Sequence, residues 1–176
     1  QNPSVVIGAD TIVVLDNELL NKPIDEQNAY DMLKKLSGKT HTVYTGLAFV
    51  FSGKMNAKTC YQKTEVTFRV LEDDEINEYI KSGSPLDKAG AYGIQDDYGA
   101  VFVNHIVGCY FNIVGLPLEL FYTKLNELKI EMLGEATKDA TKRAQVLAEN
   151  SGGKVGSVAS AYQGIFQITP ANSTEI

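Results

Sequence analysis

Two aspartates and two lysines lie beside glycine-rich stretches, and their types suit chemistry on a phosphoanhydride. Asp10 follows a β-branched run and Gly8-Ala9, and a carboxylate at the C-terminal end of a strand commonly points into an active-site crevice. Lys22-Pro23 comes a short loop later, close enough in sequence to return to the same mouth. Asp87-Lys88-Ala89-Gly90-Ala91-Tyr92-Gly93-Ile94-Gln95 adds a second carboxylate and a second lysine on a glycine-rich loop. Backbone amides in such a loop can approach phosphate oxygens closely. The set suits metal-assisted attack of water: carboxylates hold Mg2+ or orient the water, and ammonium groups neutralise the phosphates. Each residue also has a plain structural reading. Asp10 can cap a turn, Lys22 can be solvated, and Gly90 and Gly93 can simply shape a bend.

Other chemistries find less support. Neither His41 nor His105 has a His or Cys neighbour at metal-ligand spacing, so both read as structural. No serine nucleophile elbow and no Walker-type loop occurs. Cys60 and Cys109 lie far apart in apolar contexts, which fits buried thiols in a reducing compartment such as the cytoplasm. The 176 residues carry a formal charge of −6, which repels nucleic-acid backbones and points to no nucleic-acid partner. It leaves room for a nucleotide met by a few local cations. No apolar run is long enough to span a membrane. Gln1 to Pro3 is polar and does not read as a secretory signal, and without an initiating Met it reads as a cut end.

The elements that would position these residues follow from periodicity. Val5 to Ile7 and Ile12 to Leu15 read as buried strand around Gly8-Ala9-Asp10-Thr11. Ala29, Met32, Leu33 and Leu36 mark one face of a helix over Asp25 to Leu36, capped by Asp25 and stopped by Gly38. Val43 to Phe51 and Thr59 to Val70 predict a long hairpin turning at Ser52-Gly53-Lys54, with Val66, Phe68 and Val70 on one face. Glu72 to Lys81 predicts a second helix, with Ile76, Tyr79 and Ile80 inward. A polar loop follows over Ser84 to Asp97. Ala100 to Val103 and Ile106 to Phe111 read as two more strands. Pro117 opens a helix with Leu118, Phe121, Tyr122 and Leu125 on its apolar side. The fold class expected is α/β: a mixed sheet with flanking helices and a long antiparallel hairpin. The character changes near Lys129 to Gly134. An Ala-rich helix over Glu135 to Asn150 is expected there, then two strand-like runs, Val155 to Ala161 and Ile165 to Thr169, as an α+β appendage. Charges balance in this tail, so the whole −6 resides ahead of it.

Four blocks resemble the Maf family of nucleoside triphosphate pyrophosphatases in order and spacing. They are Gly8-Ala9-Asp10-Thr11-Ile12-Val13, Asn21-Lys22-Pro23, Asp87 to Gln95, and Asn112-Ile113-Val114-Gly115-Leu116-Pro117. The similarity runs from about Ser4 to Leu128 and implies an α/β fold related to the inosine triphosphatases, with a cleft between two lobes. It implies cleavage of a nucleoside triphosphate between its α and β phosphates, with Mg2+ or Mn2+. By motif, Asp10 matches the proton acceptor that activates water, and it is also a candidate metal ligand. Thr11 and Gln95 match positions linked to nucleobase selection, Lys22 a lysine near the phosphates, and Asp87 and Lys88 the second active-site loop. Asp-Thr with Gly-Ile-Gln resembles the branch that prefers dTTP and UTP. Gln95 suits that choice, since an amide pairs with both a donor and an acceptor on a pyrimidine edge. A homodimer is also implied.

Members of the family open with a strand and a Ser-rich, Arg-bearing loop that holds phosphate. This chain begins just ahead of the Gly8 block, so that loop is expected to be missing and a sheet edge uncovered. The alternative function is therefore a catalytically inactive Maf-like nucleotide-binding or scaffold protein. Ala136 to Thr174 resembles part of a SIMPL domain, which divides the chain into a Maf-like body, 1–130, and a SIMPL-like tail, 131–176, as in a joined or chimeric chain. A third reading makes that tail dominant, as an envelope-associated interaction domain.

Overall fold

The computed structural model describes residues 5–51, 57–158, 160 and 162. Two compact units divide the chain, Gln1–Tyr122 and Thr123–Ile176. The first is built on a five-stranded sheet with the order β2-β1-β3-β4-β5. β1 is Val5–Leu15, β2 Glu18–Leu20, β3 Thr40–Phe51, β4 Ala57–Phe68 and β5 Val103–Val107. Each adjacent pair runs antiparallel. The expected α/β class holds, with helices α1 (Glu26–Leu36), α2 (Asp73–Lys81), α3 (Asp97–Phe102), α4 (Tyr110–Val114) and α5 (Leu118–Asn150).

β1 differs from its sequence reading. The two runs form one strand, and Asp10 sits in its middle opposite Gly46 rather than at its end. The ladder to β3 runs unbroken from Val5 opposite Phe51 to Val14 opposite Thr42. Gly8 is thus an ordinary strand residue and not a breaker. Only the distal half of β1 is core: Val13 and Leu15 are buried while Val6 is exposed. β2 escaped the sequence reading, although Asp16-Asn17 was its signal. Both residues take positive φ, 50° and 66°, as in a two-residue hairpin turn whose twist suits the strands.

α1 forms as its spacing predicts. The Asp25 carboxylate accepts the Asn28 N–H at 2.7 Å, and Lys34 and Lys35 occupy the last turn, where they meet the dipole favourably. Ala29, Leu33 and Leu36 are fully buried, each leucine contributing about 1.5–3 kcal/mol. The β3–β4 hairpin also forms, and its expected turn, Ser52-Gly53-Lys54, lies outside the described residues. Val66 and Phe68 face the core as expected, but Val70 is 69% exposed. The strand ends at Phe68, and the chain turns there toward α2. Arg69 ties that corner down: its guanidinium donates to both Glu75 carboxylate oxygens at 2.7 and 2.8 Å. The pair pulls the Glu75 pKa down to about 2. Glu75 also completes a capping box with Glu72 at the start of α2.

Two further expectations are corrected. Ala100 to Val103 is mostly the end of α3, and Ile106 to Phe111 divides between β5 and α4. Gly108, at φ +131°, makes the break between them. Short apolar runs carry no period that separates strand from helix, and here tertiary packing decided. Beyond Pro117 one helix continues through Lys129 to Gly134 as far as Asn150, so the Ala-rich segment is its continuation. Leu118 and Tyr122, expected on its apolar side, are exposed at 43% and 65%, whereas Phe121 stacks on Phe49 with centroids 6.1 Å apart. Val155 to Val158, the described start of the first tail strand, has no regular structure. The second, Ile165 to Thr169, lies outside the described residues.

The core of the first unit fills the space between one sheet face and α1, α2 and the loop after α2. Val13, Leu33, Val66, Phe68, Ile76, Tyr79, Tyr92 and Phe102 belong to it. Phe68 meets Tyr92, Phe102 and His41 edge-on, with centroids 4.7, 6.0 and 5.0 Å apart. The loop that carries the candidate site residues is thereby anchored to the sheet through Tyr92.

Candidate active site

A cavity of about 280 Å³ in the first unit is bordered by Asp10, Thr11, Lys22, Asp87, Lys88 and Gln95. All the residues singled out from the sequence thus meet at one place, although they come from three separate segments. Val13, Tyr92, Ile113 and Gly115 supply apolar and backbone wall.

Two backbone features bring the segments together. The Gly90 N–H donates to the Asn21 carbonyl at 3.1 Å, which ties the Lys22 loop to the second loop. Gly90 has φ +71°, and a Cβ there would stand 3.0 Å from Val13 Cγ1. Glycine is required both by conformation and by the close approach to β1. At Gly93 a Cβ would lie 2.7 Å from Lys88 Cε and 2.8 Å from Asp96 Oδ2, so a larger residue would displace those two side chains.

Electrostatics around the loop are tightly paired. The Lys88 ammonium donates to the Ser84 carbonyl at 2.7 Å, the Ser84 hydroxyl at 3.1 Å and Asp87 Oδ1 at 2.8 Å. Lys88 beside Asp87 lowers that carboxyl's pKa, and Lys22 adds to the effect. Asp96 was not singled out from the sequence, yet it organises this wall. Its Oδ2 accepts from the Tyr79 hydroxyl at 2.7 Å and the Ser84 hydroxyl at 2.6 Å, and Lys88 Nζ lies 3.6 Å away. Burial pushes the Asp96 pKa up, but those hydroxyls and the lysine more than offset it and hold it low. Burial and Asp96 together push the Tyr79 phenol up. The sequence signal for Asp96 was its position directly after Gly-Ile-Gln.

Asp10 and Thr11 are consecutive strand residues, so their side chains leave opposite faces of the sheet. The Asp10 carboxylate folds back along the backbone and accepts the Thr11 N–H at 2.9 Å. The Thr11 hydroxyl turns instead to Thr45 across the ladder, 2.8 Å away. Thr45, Thr64 and Asn112 behind it are fully buried. Asn112 Nδ2 donates to the Val43 carbonyl at 3.0 Å and to Thr64 Oγ1 at 2.9 Å. No sequence argument pointed to Thr45, whose only mark was a polar type at an inward position of an alternating strand.

Among the described residues no group of three or more His, Cys, Asp or Glu is arranged to hold a metal ion. Mg2+ usually keeps several waters and binds one or two carboxylates plus substrate phosphates. Asp10 and Asp87, both exposed at the cavity, fit an ion that arrives with its phosphates.

The profile of the family described as Maf-like protein matches residues 1–128. The chain belongs to the Maf family. Among similar Maf relatives, a dTTP/UTP pyrophosphatase of Clostridium beijerinckii is 48% identical over 126 residues, covering 72% of this chain and 66% of the relative. One of Clostridium tetani is 45% identical over 132 residues, 75% of this chain and 68% of its own length. One of Bacillus cereus strain AH187 is 48% identical over 128 residues, 73% and 65% respectively. The chain thus spans about two thirds of the length of the Maf relatives it matches.

Proposed function

We propose that the chain hydrolyses dTTP- and UTP-type nucleoside triphosphates to the monophosphate and pyrophosphate. The observation that carries this reading is the gathering of Asp10, Thr11, Lys22, Asp87, Lys88 and Gln95 around one cavity. Its chemistry suits the activity for which the relatives are named, dTTP/UTP pyrophosphatase.

In this mechanism the Asp10 carboxylate takes a proton from water as the water oxygen bonds to the α-phosphorus. The bond from the α-phosphorus to the α–β bridging oxygen breaks, and that oxygen leaves with pyrophosphate. Lys22 and Lys88 neutralise the phosphate chain. Lys88 turns to it by giving up its exposed bond to Asp87, while Ser84 and Asp96 hold its ammonium at the cavity wall. Asp10 and Asp87 would hold Mg2+ or Mn2+, which would add charge neutralisation and orientation of the phosphates. Thr11 and Gln95 read the base. The same reading makes the protein a cytoplasmic homodimer acting on free nucleotides. The family match ends at residue 128, which supports placing the end of the Maf body near 130; the SIMPL-like reading of 131–176 rests on the resemblance of its sequence.

The test is pyrophosphate release from dTTP, UTP and the purine triphosphates with Mg2+ or Mn2+, for this chain and for Asp10→Asn. Release that falls by about a hundredfold or more in the variant is expected, the scale of losing a general base. Nucleotide-dependent heat stabilisation without any release would instead make the chain a nucleotide-binding protein.

A further inference from the structure

Proton counting along the buried hydroxyls behind the cavity fixes what Thr11 can offer a ligand. Thr45 Oγ1 lies 2.8 Å from the Asn112 carbonyl oxygen, which can only accept. The Thr45 hydroxyl has one proton, and that contact uses it. An oxygen pair so close and fully buried, with no proton between, would set lone pair against lone pair, which burial makes strongly unfavourable. Thr45 Oγ1 is also 2.8 Å from Thr11 Oγ1. With its own proton spent, Thr45 must accept there, and Thr11 must donate. The Thr11 proton therefore points into the protein, away from the cavity that Thr11 borders. What its oxygen turns to the cavity is lone pairs.

The relay is held from behind. Thr11 and Thr45 are directly opposite in the ladder. The Asn112 backbone is fixed by its own side chain, which donates to Val43 and Thr64 on the two neighbouring strands. Thr64 in turn accepts the Cys109 N–H at 3.1 Å. Asn112 Oδ1 is buried without a partner, yet turning the amide over would set that oxygen against the Val43 carbonyl, so the donor stays where it is.

We propose that Thr45, backed by Asn112, is a positioning residue for base selection: it makes Thr11 an obligate hydrogen-bond acceptor, so that the site demands a donor from the base. This rests on the reading of the cavity as a pyrimidine nucleotide site. Uracil and thymine carry one donor on their pairing edge, N3–H, and it is the group Thr11 then reads. Cytosine places a bare acceptor at N3, with its donor displaced to N4, so in the pose that sets N3 against Thr11 it meets lone pair with lone pair.

The experiment measures binding of non-hydrolysable α,β-methylene analogues of UTP, CTP and N3-methyl-UTP by calorimetry with Mg2+, and turnover of the parent nucleotides alongside. It compares the intact chain with Thr45→Val, which keeps the shape and removes the hydroxyl, and with Thr45→Ser, which restores it. The expected result is a preference of about tenfold or more for the UTP analogue over both others in the intact chain and in Thr45→Ser. Thr45→Val should lose that ratio while remaining folded at the assay temperature, with a melting temperature below that of Thr45→Ser because the buried Asn112 carbonyl loses its donor. Equal binding of the UTP and CTP analogues by the intact chain overturns the proposal. So does a Thr45→Val protein that keeps the ratio, failure of Thr45→Ser to restore it, or binding of none of the analogues. Discrimination in binding without any turnover leaves the relay standing and removes the pyrophosphatase reading.

Discussion

At the scale of single residues, the site and the core share one histidine's worth of pH sensitivity. His41 lies under the second loop with its Nε2 2.8 Å from the Tyr92 hydroxyl, and it is 2% exposed. Burial pushes its pKa down to about 4. The unfolded chain, with a histidine near 6.5, binds the proton more readily, so stability from this group is full above about 6.5. It is lost as the pH falls toward 4, amounting to roughly 2 kcal/mol by pH 5. Denaturant titrations at pH 7 and pH 5 should show that loss in the intact chain and not in His41→Gln. An equal loss in the variant would assign the effect to other groups. His41 read as structural from the sequence because nothing at ligand spacing accompanied it, and its burial bears that out. Asp96 had only its place after Gly-Ile-Gln to mark it, and Thr45 had less. Their importance lies in partners 12 to 67 positions distant, namely Ser84, Tyr79, Thr11 and Asn112.

At the scale of elements, what could be read was what is encoded locally. α1 carried its own cap, its own apolar face and its own glycine stop, and it forms with those bounds. The β3–β4 hairpin announced itself by alternation. The stretch from Ala100 to Phe111 did not, because its apolar residues suit either period. Its helices and strand are set by contacts such as Arg69 N–H to the Phe102 carbonyl at 3.0 Å. The second loop is the element on which the candidate site most depends, and Gly90 is its weakest point. Gly90→Ala forces an unfavourable φ and presses on Val13, at a cost of about 1–2 kcal/mol. A melting temperature lower by a few degrees is expected, with a raised KM for the triphosphate and a smaller change in kcat. An unchanged KM would detach this loop from substrate binding.

At the scale of the whole molecule, the buried apolar cluster lies between Val13 and Ile113, within the first unit. Along α5, by contrast, burial is confined to Leu125 and Leu128, while Ile130, Leu133, Val146 and Leu147 are 47–73% exposed. A helix with so little burial draws its stability from local propensity, which is marginal in water. Hydrogen exchange followed by mass spectrometry should show residues 134–150 exchanging orders of magnitude faster than the β3–β4 ladder. Equal protection would mean that a second surface covers the helix. The cavity itself is unevenly built. One side, β1, is laced to β3 along nearly its full length; the other is a pair of short turns fastened by Gly90 and Asn21. On the proposed function, Asp10 would sit like the fixed jaw of a vice, held by the long β1–β3 ladder, and the two lysines would close on the phosphates from the side with fewer backbone ties.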